Sequence, residues 1–157
     1  MSEPIGVIQT PIRLDYTITA GTAQSRFLKR ISEGKIFGQR CPRCEKVYVP
    51  PNGSCPTCAV ATDEEVEVSD SGTITKFCIV NLPFYGQAQE VPYVCASVLL
   101  DGADTTLFHL VQDVPAEDVR MGMRVRAVWV PAEELKPTLE SIKYFRPTGE
   151  PDVPVKA

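Results

Sequence analysis

Four cysteines in two closely spaced pairs are the residues of this chain best suited to chemistry. Cys41 and Cys44 form one Cys-x-x-Cys pair, Cys55 and Cys58 form a second, and ten residues separate the two pairs. Zinc binds four thiolates in a tetrahedron, and each pair would supply two of the ligands. The spacing therefore predicts a metal-binding ribbon, more compact than ribbons whose pairs lie roughly 15–20 residues apart.

Other uses of these cysteines explain the pattern less well. Disulfide bonds need an oxidising compartment, and the N-terminal residues lack a basic segment followed by an apolar run, so we expect a cytoplasmic protein. A redox Cys-x-x-Cys motif would not account for a second copy. Iron is the alternative metal, because tetrahedral sulfur ligands accept both iron and zinc. The prediction is a structural zinc site, with iron as the alternative.

A short helix is predicted before the first cysteine pair. Thr22 is expected to cap it and Glu33 to lie at its end. Phe27 and Ile31 fall on its apolar face. They either pack on the chain's own domain or contact a partner, since so short a helix gains most of its stability from what it packs against.

The rest of the chain predicts a small barrel. Strand-like runs cover residues 73–81, 93–100, 105–111, 124–130 and 141–145, and a helical stretch at 115–119 separates the third run from the fourth. Five strands in this order match the OB-fold, a small Greek-key barrel. A split β-sandwich is the alternative architecture.

The predicted fold class is therefore mainly β, with an N-terminal helix and a rubredoxin-like zinc ribbon followed by a five-stranded OB-fold barrel. We divide the chain into an extended arm, a helix plus zinc ribbon, the OB-fold and a flexible tail, at residues 1–20, 21–62, 63–147 and 148–157.

Composition limits the classes of function. The chain has 157 residues, of which 43% are hydrophobic, and contains no apolar run near twenty residues, so no membrane span is predicted. The formal net charge is −4, and four thiolates around one divalent ion would make it more negative. This balance argues against a nucleic-acid-binding protein, whose affinity depends on neutralising phosphates.

Catalytic chemistry has little support in the sequence. His109 is the single histidine and lies in the middle of a predicted strand, where we expect a packed barrel residue rather than a base. Cys78 and Cys95 also lie in strands and are expected to act as small hydrophobic residues. A closed tetrathiolate site leaves no position for a reacting water. We predict no catalytic residue and expect a scaffold or binding module.

A series of motifs carries a resemblance to a known family. In order they are Phe27-Leu28-x-x-Ile31-x-x-Gly34, Arg40-Cys41-Pro42-x-Cys44, Val49-Pro50-Pro51, Cys55-Pro56-x-Cys58, Ser71-Gly72-x-Ile74, Pro92-Tyr93-Val94, Leu100-Asp101-Gly102 and Gly122-Met123-x-Val125. Over roughly residues 21–147 the chain is similar to the rubredoxin-like zinc-ribbon plus OB-fold family of acyl-CoA-associated proteins.

The resemblance implies a non-catalytic accessory subunit of a thiolase-superfamily enzyme. Partners in that family are acyl-CoA thiolases and lipid-transfer-protein-like aldolases, including aldolases that shorten steroid side chains. The resemblance also implies a structural zinc and an acyl-CoA channel shared with the enzyme subunit. It specifies neither the acyl substrate nor whether the partner catalyses thiolysis or retro-aldol cleavage.

Two groups of residues are candidates for ligand or partner contact. Seven of the 16 basic residues lie between residues 26 and 46, and Lys29, Arg30 and Lys35 are the candidates for binding coenzyme A phosphates. The alternative is a solvated charged face. Phe27, Ile31, Phe84 and Tyr85 are the candidates for contact with a partner or an acyl group, and for Phe84 and Tyr85 the alternative is a cap on the end of the barrel.

Two further functions are open to the sequence. The first is a single-stranded nucleic-acid-binding OB-fold, in which exposed aromatics stack on bases. The second is a free-standing protein that binds or hydrolyses acyl-CoA, in which His109 would have to act in catalysis.

Overall fold

The computed structural model describes Gly6 and residues 14–155. Within this part of the chain the strands and the single α-helix are α1 Thr22–Ile31, β1 Ile36–Arg40, β2 Val47–Tyr48, β3 Ser54–Cys55, β4 Val60–Ala61, β5 Glu64–Val68, β6 Ser71–Val80, β7 Tyr93–Leu100, β8 Thr106–Val111, β9 Arg124–Trp129 and β10 Ile142–Pro147. Single turns of 3-10 helix lie at Ala116–Asp118, Ala132–Glu134 and Leu139–Ser141. Over the described residues, no helix is both long and apolar enough to cross a membrane.

The helix packs its apolar face into the chain's own core. It begins at Thr22, with Gly21 rather than Thr22 as the N-cap residue. Phe27 is 3% exposed and Ile31 is fully buried. The expectation that these two side chains contact a partner is therefore corrected: residues four apart on a helix share a face, and here that face is covered by the same molecule.

A three-stranded antiparallel sheet follows the helix, in the order β2-β1-β5. The pairing of β1 with β5 runs from Ile36 opposite Val68 to Arg40 opposite Glu64. The sequence places β5 at the start of the barrel domain, but its partner is a strand of the ribbon. A separate hairpin of β3 and β4 carries the second cysteine pair.

The last five strands close into a barrel in the order β10-β8-β7-β6-β9, with β9 also paired to β10. This order and the short helix at Ala116–Asp118 between β8 and β9 are those of the predicted OB-fold. Alternate residues of β7 point inward, and Val94, Ala96, Val98 and Leu100 are all buried. The closed barrel excludes the split sandwich.

The segment after β10 runs back along the barrel. Thr148 donates its backbone N–H to the Arg124 carbonyl at 3.0 Å, and Val153 donates to the Gly122 carbonyl at 2.8 Å. Arg120 Nη2 lies 2.9 Å from Asp152 Oδ1. These contacts fall within the segment that the sequence predicts to be a flexible tail.

The ribbon and the barrel share one core and are joined by a compact set of hydrogen bonds. Val47 exchanges hydrogen bonds with Asp104, from its N–H to Oδ2 and from the Asp104 N–H to its carbonyl, both at 2.8 Å. Thr105 Oγ1 accepts from the Val49 N–H at 2.7 Å and donates to the Val49 carbonyl at 3.0 Å. Val47 and Val49 lie in the same hydrophobic cluster as the barrel residues.

We predict that Thr105→Val will destabilise the junction between the ribbon and the barrel. Valine keeps the shape of threonine but leaves both backbone groups of the buried Val49 without these partners, which costs about 1–3 kcal/mol. The free energy of unfolding, measured by urea denaturation, should fall by this amount. Thr106→Val is the control, because Thr106 is an exposed residue of β8. Equal stability of the two variants would contradict the prediction.

Candidate metal centre

Each cysteine pair lies on a tight backbone turn, and the two turns have the same form. The residue after the second cysteine has a positive φ in both, 60° at Glu45 and 52° at Ala59. Its N–H donates to the carbonyl of the first cysteine, from Glu45 to Cys41 at 3.0 Å and from Ala59 to Cys55 at 2.9 Å. These repeated turns bring both cysteines of each pair to one side of the backbone.

The structure brings the four predicted sulfurs together. All four Sγ atoms lie within 4.8 Å of one another, and those of Cys44 and Cys55 are 3.7 Å apart. A metal with four sulfur ligands at about 2.3 Å requires sulfur–sulfur distances of about 3.8 Å. Cys41 and Cys55 are buried, while Cys44 and Cys58 are partly exposed. This donor set fits a closed tetrahedral site.

The electrostatics of the cluster also favour a cation. The hydrogen bond with Tyr48 lowers the pKa of Cys55 to about 6, against the opposing effect of burial. Burial, and then the hydrogen bonds with the other three sulfurs, raise the pKa of Cys58 to about 12. Four thiolates held this close repel one another, so they ionise together only where a positive charge compensates them. A divalent metal supplies that charge.

Tyr48 is a functional residue that the sequence analysis missed. Its hydroxyl oxygen lies 3.1 Å from Cys55 Sγ, and its ring packs with Cys41 and Cys55 in a small cluster separate from the main core. Strand alternation is the signal that would have found it. Val47 and Val49 point into the main core, so the residue between them must point to the opposite side, where the cysteines lie.

With four sulfur ligands, a bound metal would crosslink the two turns. Its binding energy would add to the stability of the ribbon. Four ligands leave no coordination position for a substrate or water, so the chemistry that this arrangement supports is structural.

His109 is part of the barrel wall. Its Nδ1 accepts a hydrogen bond from the N–H of Leu110 at 2.9 Å, and its ring meets Phe145 edge-on at a centroid distance of 5.8 Å. Burial lowers the pKa of His109, which favours the neutral imidazole.

Two of the three residues predicted to bind coenzyme A are paired with carboxylates. Arg30 donates to Glu33 at 3.1 Å and to Glu65 at 3.2 Å, and these hydrogen bonds, Glu65 first, raise its pKa. Lys35 Nζ lies 3.7 Å from Glu67. Two of these acids belong to β5, so the acidic strand pairs with part of the basic surface. Lys29 is exposed and has no ion pair within the described part of the chain.

The predicted partner-contact residues separate into two groups. Phe27 and Ile31 are in the core, whereas Phe84 is 62% exposed and the Tyr85 side chain is fully exposed. Phe84 and Tyr85 lie in the connection between β6 and β7, beside Leu82, which is 80% exposed. Leu14, Tyr16 and Ile18 of the arm are also largely in solvent.

Two domain models match consecutive parts of the chain. The ChsH2 rubredoxin-like zinc ribbon domain matches residues 29–64, and the ChsH2 C-terminal OB-fold domain matches residues 65–130. The boundary between the two matches falls within β5.

Two curated relatives are more than 30% identical to this chain. A DUF35 domain-containing scaffold protein of Methanocaldococcus jannaschii is 33% identical over 95 residues, which cover 60% of this chain and 67% of the relative. A probable enoyl-CoA hydratase alpha subunit of Thermomonospora curvata is 31% identical over 113 residues, which cover 72% of this chain and 34% of the relative. The chain thus spans about a third of the second relative.

Two solved structures share the fold. One, described as the Ltp2-ChsH2(DUF35) aldolase, superposes with a TM-score of 0.62 at 24% identity and covers 83% of this chain and 98% of that chain. The other is a DUF35 family protein of unknown function from Sulfolobus solfataricus, with a TM-score of 0.59 at 19% identity and coverage of 81% and 84%.

We predict that Tyr48→Phe will weaken metal binding without unfolding the chain. The substitution removes only the hydroxyl at Cys55 Sγ, and loss of such a supporting hydrogen bond costs roughly 10- to 100-fold in metal affinity. Competition with a chromophoric chelator would measure the change, and metal analysis would distinguish zinc from iron.

Two further variants serve as the positive and the negative control for metal binding. Cys55→Ser removes a ligand and should release the metal and unfold the ribbon. Tyr144→Phe removes a hydroxyl that bonds to Asp113 on the barrel and should leave metal affinity unchanged. Unaltered affinity in Tyr48→Phe would contradict the assigned role of Tyr48.

Proposed function

The chain belongs to the ChsH2/DUF35 family, in which a rubredoxin-like zinc ribbon precedes an OB-fold, and from this premise we propose that it is a non-catalytic accessory subunit of a thiolase-superfamily enzyme in acyl-CoA metabolism. It binds the enzyme subunit in the cytoplasm and helps to form the acyl-CoA channel.

The observation that carries the proposal is the exposure of large apolar side chains on a molecule whose own core is complete. Leu82, Phe84 and Tyr85 lie in one connection and project into solvent. Exposed groups of large apolar side chains mark interaction sites. Phe and Tyr are also enriched at the centres of protein interfaces.

The names of the relatives support the same role. One is a scaffold protein, one is the alpha subunit of a probable enoyl-CoA hydratase, and one structural neighbour is described with an aldolase. The substrate class that follows is an acyl-CoA, which includes steroid and other bulky acyl chains, with cleavage by thiolysis or retro-aldol reaction on the partner.

The metal has a supporting part in this proposal. The matched ribbon is a zinc ribbon, and we assign structural zinc to its four cysteines. The ion holds the ribbon against the barrel and thereby fixes the surface around α1.

Contact with coenzyme A is assigned to Lys29, with Arg30 and Lys35 as secondary groups. Lys29 is exposed near the C-terminus of α1. Arg30 and Lys35 would have to exchange their carboxylate partners for phosphate, and both ion pairs are open enough to solvent to do so at small cost.

Binding of the enzyme subunit should depend on Tyr85 and Phe84. We expect Tyr85→Ala to raise the dissociation constant of the complex by about 10- to 100-fold, as for an aromatic residue at the centre of an interface. The partner to use is a thiolase-like subunit from the same organism, co-expressed with this chain, and binding can be measured by calorimetry.

Met121→Ala is the matched control, since Met121 is 60% exposed and lies outside this connection. If Tyr85→Ala and the wild type bind the enzyme subunit equally well, Tyr85 is not part of the interface. An enzyme subunit that folds and turns over equally well without this chain would overturn the accessory role itself.

The coenzyme A assignment makes a separate prediction. In the assembled enzyme, Lys29→Gln should raise the KM for acyl-CoA by up to about fivefold, because it removes one solvent-screened charge contact, and should leave kcat unchanged. Lys143→Gln is the control, as Lys143 is an exposed lysine of β10. The same KM in both variants would count against a phosphate contact at Lys29.

A further inference from the structure

The two cysteines outside the metal centre lie directly opposite each other. Cys78 of β6 is the register partner of Cys95 of β7 in an antiparallel pairing. Directly opposite residues of such a pair project from the same face of the sheet. The sequence alone separates these cysteines by a long connection and gives no reason to pair them.

Their placement meets the geometric requirement for a disulfide. Opposed residues of antiparallel strands have Cα atoms about 4.5–5.5 Å apart, and disulfides span Cα distances of about 4.4–6.8 Å. Among the described pairings, β6 contacts β9 only over Ser71–Thr73. Cys78 therefore lies on the half of β6 that has a neighbour on one side alone, where a small shift of the strand meets little resistance.

The two thiols differ in access. Cys78 is exposed and Cys95 is partly buried, and burial, followed by the charge of Cys78, raises the pKa of Cys95. Cys78 is thus the sulfur that a reagent reaches first, and Cys95 is the neighbour that resolves the product.

We propose that Cys78 and Cys95 are a dithiol site that forms a reversible cross-strand disulfide, with a small-molecule disulfide of the oxidised glutathione class as the oxidant. The Cys78 thiolate attacks one sulfur of the oxidant, a mixed disulfide forms and one glutathione thiolate leaves. The Cys95 thiolate then attacks Cys78 Sγ, which forms the protein disulfide and releases the second glutathione. The two protons lost by the cysteines go to the two leaving thiolates.

The bond would fix the base of the connection that carries Phe84 and Tyr85. Val80 opposite Tyr93 is the last pair of β6 and β7 before that connection begins. Formation of the disulfide does not depend on the proposed function, and its test needs no partner protein.

The test uses the full chain with its metal bound, incubated with oxidised glutathione and digested without reductant by glutamyl endopeptidase. Glu90 lies between the two cysteines, so cleavage there separates them. We expect mass spectrometry to find the Cys78 peptide linked to the Cys95 peptide in most molecules, and dithiothreitol to reverse the link. Metal content should stay constant.

Two variants test the register. Cys78→Ser should abolish the linked peptide. Cys78→Ser combined with Ile79→Cys moves the thiol by one residue to the opposite face of the sheet, and the link to Cys95 should drop to background. Comparable linking by the double variant, glutathione on Cys78 without a protein link, or linking only to the metal-centre cysteines with loss of metal would each overturn the proposal.

Discussion

The three residues from Val47 to Val49 link the cysteine cluster to the barrel. Val47 and Val49 pack in the core shared with the barrel, while Tyr48 points the other way and touches the cysteine cluster. The backbone of the same residues is hydrogen bonded to Asp104 and Thr105 in the barrel. The cysteine cluster, the ribbon and the barrel therefore meet at these three residues, and a metal bound at the cysteines would also stabilise this junction.

The acidic strand β5 has a second effect on the surface. Its glutamates pair with basic residues of α1, of β1 and of the turn between them, and Arg30, Lys35 and Arg40 each have a carboxylate within 3.7 Å. These pairs are exposed and contribute little to stability. Their consequence is electrostatic: three of the seven basic residues between 26 and 46 are paired with carboxylates, whereas Arg26, Lys29, Arg43 and Lys46 have no ion pair within the described residues.

Local patterns in the sequence determined which parts of this structure could be predicted. The cysteine cluster and the buried face of β7 follow from spacing and alternation over a few residues. The pairing of β5 with β1, the burial of Phe27 and Ile31, and the approach of Tyr48 to Cys55 depend on which elements meet across the fold. An apolar helix face is the same in sequence whether its own barrel or a partner covers it, and the structure decides between them.

The six cysteines illustrate how placement sets the chemistry of one side chain. Four lie on turns that direct their sulfurs to a common point, and a metal there would take all four as ligands and leave no open coordination position. Two lie opposite each other on a sheet, at a position where β6 has lost its second neighbour. The first group is closed and suited to holding a shape, whereas the second is open on one side. The proposed disulfide would thus place the chain's response to oxidation at the barrel end beside the exposed aromatics.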